Sequence, residues 1–169
     1  MDIILEALGW MTEQRVGVID VSLVGPKNLL LERIVGALIA RGYILVAAVG
    51  NDGPAAPPLY PAAYPGVVGV TGVDARRQVL MEAERGPQVM FAAFGADIKA
   101  AGLDHRYAAV RGTSFAAPVV AALLAPMATS PDPQVSLEAI DALAKKAIDL
   151  GLPGRDLTYG FGFVGTDTH

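Results

Sequence analysis

The sequence predicts an α/β fold, a parallel sheet with helices on both faces. Three observations predict it. Residues 16–24 form a nearly continuous apolar run, rich in valine and isoleucine and closed by Gly25-Pro26, which suits a strand covered on both faces. Residues 43–49 form a second such run. Between them, residues 28–41 place Leu30, Leu31, Ile34, Val35, Leu38 and Ile39 on one wide helical face that Gly42 brings to an end. Strand, helix and strand over this length make a βαβ unit, which is right-handed almost without exception and implies parallel pairing.

The remaining elements follow in chain order. Ile3, Ile4, Ala7, Leu8 and Met11 recur at helical spacing, so residues 2–14 read as an amphipathic helix. After a Pro-rich loop over 52–65, residues 67–73 and 89–94 read as further strands. Residues 107–110 are a short extended piece leading into a turn at Gly112. Helices then cover 114–127 and 136–150, ahead of a glycine-rich end at 151–165. With 169 residues, 53% of them hydrophobic and 18% charged, the chain can bury a real core. No repeat or linker divides it, so residues 1–169 read as a single domain.

Charge and cysteine content exclude several classes of function. A net charge of -4 with no basic stripe lacks the electrostatic footprint of nucleic-acid binding, and anionic membranes are equally poor partners. No cysteine is present, so neither a disulfide framework nor a thiolate zinc site can form. Residues 1–6 carry acids where a signal peptide would carry positive charge, and no apolar run approaches a membrane span.

The chemistry concentrates in two turns. In Gly112-Thr113-Ser114-Phe115-Ala116-Ala117-Pro118, a glycine turn gives way to an apolar helix. Ser114 then lies in the first helical turn, at the positive end of the dipole. Pro118 comes early enough for its missing N–H to cost little. A serine there also serves as an ordinary helix cap. Gly50-Asn51-Asp52-Gly53 follows the second buried strand, at the edge where open α/β sheets place ligands. It reads as a tight turn, or as the source of an Asn51 amide that converges with the Ser114 N–H on one oxygen.

These segments resemble motifs of the subtilisin-like serine peptidases. The family's Gly-Thr-Ser-x-Ala-x-Pro is met at Gly112, Thr113, Ser114, Ala116 and Pro118, and its Ala-x-Gly-Asn-x-Gly at Ala48, Gly50, Asn51 and Gly53. Val18-Ile19-Asp20-Val21-Ser22-Leu23 is similar to the strand that pairs with bound substrate. Tyr60-Pro61-Ala62-Ala63-Tyr64-Pro65, Gly154-Arg155-Asp156 and Tyr159-Gly160-Phe161-Gly162 also fit. The resemblance implies Ser114 as the attacking hydroxyl and Asn51 as the oxyanion donor. It implies Ser22, Leu23, Val24 and Gly25 on one side of a substrate pocket and Ala48, Val49 and Gly50 on the other. The substrate class implied is polypeptide. Val24 stands where the family usually has glycine, and a side chain there narrows the pocket.

A serine nucleophile needs a base and a group to orient it. In this family Asp and His precede Ser in the chain, and here only a helix precedes the strand over 16–24. The expectation is therefore a carboxyl-terminal part of a catalytic domain, with amino-terminal strands missing, that lacks the family's Asp and His and is inactive or nearly so alone. His105, beside Asp104, reads as a surface-loop histidine, His169 as a terminal one, and Asp20 as structural. An uncovered edge along residues 16–23 is expected to pair with another copy of the chain.

The competing reading is a non-catalytic peptide-binding module that keeps the strand edge and uses Ser114 only as a cap. The Gly-x-Ser-x-Gly elbow of the α/β-hydrolases is not matched. Acyl transfer through serine calls for no cofactor. Asp132, Asp141, Asp149 and Asp156 are too dispersed for a calcium loop, so no metal is expected. Relatives in such a family are mostly exported, which implies an extracytoplasmic location.

Overall fold

The computed structural model describes residues 2–103 and 105–165. Ten elements follow one another: α1 (Asp2–Glu13), β1 (Val18–Val21), α2 (Leu29–Ala40), β2 (Ile44–Ala48), β3 (Val68–Val73), β4 (Val89–Phe94), β5 (Ile98–Ala101), β6 (Tyr107–Val110), α3 (Thr113–Leu124) and α4 (Pro133–Lys146). The strands β1-β2-β3-β4 pair in that order, all in parallel, while β5 and β6 form a separate antiparallel pair.

Alternation along β2 explains the layers. Ile44, Val46 and Ala48 face a core shared with Ala116, Ala117, Val120 and Leu124 of α3 and with Ala139 and Leu143 of α4. Leu45, Ala47 and the following Val49 face the opposite core, with Leu8 of α1 and Leu31, Val35 and Leu38 of α2. Successive side chains point to opposite faces of a strand, so an unbroken apolar run is what a sheet covered on both sides demands. Every residue of β2 and of β3 is buried. Each fully buried Val or Leu contributes about 1.5–3 kcal/mol relative to exposure.

Helix boundaries are set by caps. Asn28 accepts the Leu30 and Leu31 N–H groups through its side chain, and Asp132 does the same for Gln134 and Val135. That second cap starts α4 at Pro133, three residues before the start expected from periodicity, and proline suits the first turn.

Two strand readings are refined. The first strand is only Val18–Val21 and is half open, because β1 is the edge and pairs with β2 alone. Beyond it the chain leaves the sheet, and Gly25 exchanges backbone hydrogen bonds with Tyr60. The strand β5 was missed, since Ile98–Ala101 carries little apolar signal and is held by its register with β6.

Candidate active site

The carboxyl ends of β1 and β2 and the amino end of α3 meet at one rim of the sheet. Gly50 there has φ 120° and Gly112 has φ 138°, backbone states that favour glycine. Gly112 caps α3 without a side-chain acceptor. The capping contact comes instead from 62 positions away: Asn51 Oδ1 accepts the Thr113 N–H at 3.0 Å. The buried Thr113 hydroxyl accepts the Gly50 N–H at 3.3 Å and donates to the Gly50 carbonyl at 3.4 Å. The two turns singled out in the sequence are thereby stitched together.

This stitching decides what the Asn51 amide can do. With its oxygen held by Thr113, the hydrogens on Nδ2 are its remaining polar groups. Ser114, partly exposed, is the next residue along α3, and its N–H has no acceptor among the described residues. An amide donor and a helix N-terminal N–H beside a serine hydroxyl are the parts needed to stabilise charge on an oxygen attacked by that hydroxyl.

Pro118 adds a constraint that periodicity hides. A proline at this place in α3 cannot donate to the carbonyl four residues earlier, which is that of Ser114. Ser22 donates its hydroxyl to that carbonyl at 2.9 Å, and the same hydroxyl lies 2.9 Å from Asp20 Oδ2. Partial burial raises the Asp20 carboxyl above its ordinary range, opposed by the Ser22 contact. The segment after β1 is in this way fastened directly to Ser114.

Other predicted pocket residues are placed differently. Ala48 and Val49 direct their side chains into the two cores, so only their backbones are available to a ligand. Leu23 and Val24 are 60% and 45% exposed. They border an apolar cleft with Ile4, Leu8, Leu31 and Tyr60. His105 lies in the β5–β6 turn, exposed, and no base is hydrogen-bonded to the Ser114 hydroxyl among the described residues. Asp104 and His169 lie outside the described residues.

Sequence reasoning passed over Glu84. It is fully buried, its N–H donates to the Gly50 carbonyl at 3.2 Å, and its Oε2 accepts the Leu59 N–H at 3.3 Å. Burial pushes its carboxyl above the ordinary range, with Asp52 adding repulsion. No local pattern marks this glutamate, which sits in a loop of ordinary composition. Nearby, Glu82 accepts from the Arg111 guanidinium at 2.6 and 3.1 Å. That bidentate contact holds Glu82 below the usual carboxylate range.

The acids considered for metal binding are otherwise engaged. Asp132 caps α4, Asp141 pairs with Lys145, Asp149 accepts the Gly154 N–H, and Asp156 accepts those of Leu152, Thr158 and Tyr159. Among the described residues no three metal-ligating side chains cluster.

Residues 1–162 match the Peptidase_S8 family, described as the subtilase family. The chain belongs to the subtilase family. It is 32% identical over 162 residues to "Minor extracellular protease Epr" of Bacillus subtilis (strain 168), covering 95% of this chain and 25% of that protein. It is 33% identical over 159 residues to "Halolysin-like extracellular serine protease Nep" of Natrialba magadii, covering 93% and 29%. With "Subtilisin DY" of Bacillus licheniformis it shares 29% over 169 residues, covering 97% and 60%.

The fold of this subtilase also matches that of a crystallised lanthipeptide protease, with a TM-score of 0.80 at 21% identity, over 95% of this chain and 64% of the other. The chain thus spans a quarter to three-fifths of the length of these curated relatives. The α/β reading with a parallel sheet between helices is borne out, as is the family. Among the described residues, no helix is long and apolar enough to cross a membrane.

Proposed function

We propose that this chain carries the nucleophile and oxyanion half of a serine endopeptidase acting on polypeptides, with Ser114 as nucleophile and Asn51 as oxyanion donor. The observation that carries the reading is the Thr113 N–H to Asn51 Oδ1 bond, which leaves the amide end of Asn51 free beside Ser114. Ser22 to Gly25 on one side, and the backbone of Ala48 to Gly50 on the other, would hold the residue before the scissile bond. In a subtilisin, loss of such an Asn donor costs about 10²–10³ in turnover.

The hydroxyl of Ser114 has no hydrogen-bonded base among the described residues, and a helix dipole of about 0.3–1 kcal/mol does not substitute for one. The chain alone is therefore expected to hydrolyse peptides very slowly, needing an Asp and a His from another segment. The outer edge of β1 has no strand partner among the described residues, and pairing there, by such a segment or by a second copy, would cover it. An extracytoplasmic location is inferred from the two relatives named extracellular.

Intact mass after incubation with a fluorophosphonate, with Ser114→Ala as control, tests the proposal. The chain alone should stay unlabelled. The chain fused behind a subtilase segment carrying the Asp and His should label once, at Ser114. Stoichiometric labelling of the chain alone would refute its dependence on a second segment, and an unlabelled folded fusion would refute the peptidase reading. Sedimentation across concentrations tests the edge: a strict monomer throughout would exclude self-pairing.

A further inference from the structure

Among the described residues Glu84 is the only charged side chain in the buried set, at 0% exposure, and its Oε1 has no hydrogen-bond partner. That oxygen is aimed at Gly50. A Cβ built on Gly50 would run into it, and the Leu59 Cδ1 lies 3.0 Å from the same point. The carboxyl group therefore sits where the Gly50 wall meets Leu59, one residue from Asn51. Tyr60, the residue after Leu59, exchanges backbone hydrogen bonds with Gly25. A second carboxylate, Asp52, is near enough to repel Glu84. The ion pairs found among the described residues join Lys27 to Glu32, Arg111 to Glu82 and Lys145 to Asp141. None of these pairs includes Glu84 or Asp52.

A buried carboxylate with one oxygen unsatisfied is unfavourable unless something neutralises or bonds it. Protonation removes the charge but supplies one hydrogen. A planar guanidinium or amidine supplies both charge and paired donors in the geometry a carboxylate accepts. A neutral or acidic group entering the same slot would leave the Oε1 deficit in place or add to the repulsion.

We propose that Glu84 is a specificity-determining residue which, with Asp52, makes the slot walled by Gly50 select a cationic side chain of the arginine or lysine class immediately before the scissile bond. This rests on the peptide-pocket reading above. Leu59 packs over the buried carboxyl group beside Gly50, and its side chain has to swing aside to admit the cation. Glu84 acts on the side chain of the bound residue and Asn51 on its carbonyl, so Gly50 separates specificity from chemistry by a single peptide unit.

Benzamidine and its neutral isostere benzamide, each titrated against the folded chain at pH 7 and followed through the amide signals of Gly50, Leu59 and Glu84, test this without requiring turnover. Benzamidine should bind about tenfold tighter or better, the factor expected when one charged hydrogen-bonded contact is gained. Glu84→Gln should erase the difference, and Asp52→Asn should reduce it by about twofold to threefold, as for a partly screened charge. Equal affinities in the unsubstituted chain, no binding of either probe, or an amidine preference that survives Glu84→Gln would each overturn the assignment. The labelling experiment separates the two readings. A fusion that labels at Ser114 without amidine preference removes the role of Glu84 alone, whereas amidine preference without labelling keeps the slot and removes the nucleophile.

Discussion

At the turn from Gly112 to Ser114, the Thr113 hydroxyl, the Thr113 N–H, the Gly50 N–H and the Asn51 carbonyl oxygen all find one another, and the strands behind them, β2 and β3, are buried at every residue. Along the edge strand β1 and just after it, Val18 and Val21 are only partly buried, and Leu23 and Val24 are 60% and 45% exposed. Both regions are assigned to the same site, yet one is over-determined and the other half open. The difference matches the roles proposed for them. A donor set for a developing charge works only if it is fixed before the reaction, whereas a strand that accepts an extended peptide needs a free backbone edge.

The sharpest way to break this comparison is to add one methyl group to each region. Gly50→Ala would force an unfavourable φ and drive a Cβ into Glu84, while a Cβ on Gly25 meets nothing within 4 Å. Thermal or urea unfolding should show a loss of about 2–4 kcal/mol for Gly50→Ala and a change within about 0.5 kcal/mol for Gly25→Ala. Equal losses would mean that the two regions are equally constrained.

A smaller effect tests a side-chain fastening between them. Ser22→Ala removes the donor to the Ser114 carbonyl and should cost about 1 kcal/mol. Pro118→Ala restores a helical N–H to that same carbonyl, so the double variant should lose less than the Ser22 variant alone predicts. A double-mutant cycle on unfolding free energies measures the coupling, and strict additivity would show that the contact is incidental.

The smallest effect is a pH dependence at Glu84. Its folded pKa is raised above 4.5, first by burial and then by Asp52. The folded state therefore binds the proton more tightly than the unfolded chain, and stability falls as pH rises from 4.5 through the folded value. Glu84→Gln, which keeps an oxygen for the Leu59 N–H, should gain stability relative to the unsubstituted chain as pH rises from 4 to 7. Parallel Tm curves for the two proteins over that range would contradict the raised pKa.

Much of the scaffold was legible because its signals are local. The two valine-rich runs, the helix between them and the glycine that stops it give a βαβ unit without any tertiary information, and Gly112-Thr113-Ser114 and Gly50-Asn51 announce their turns. The strand β5 was not legible, because Lys99 and its short alanine neighbours become a strand only against β6. The uncovered edge of β1 was expected, but the limited burial of its faces was not. An apolar run states that burial is wanted, and only the number of neighbouring strands states on how many sides it is obtained.

The sequence by itself determined the fold class, the family and the two turns that carry Ser114 and Asn51, since hydrophobic period and turn chemistry depend on residues a few positions apart. The tertiary structure alone decided which distant group answers each polar demand. Ser22 takes the carbonyl that Pro118 leaves free across 92 positions, Asn51 takes the Thr113 N–H across 62, and Glu84 meets Leu59 across 25. Leaving a buried donor or acceptor unsatisfied is costly, but the chain states only that the need exists. Packing the sheet between its helices determines who is near enough to meet it.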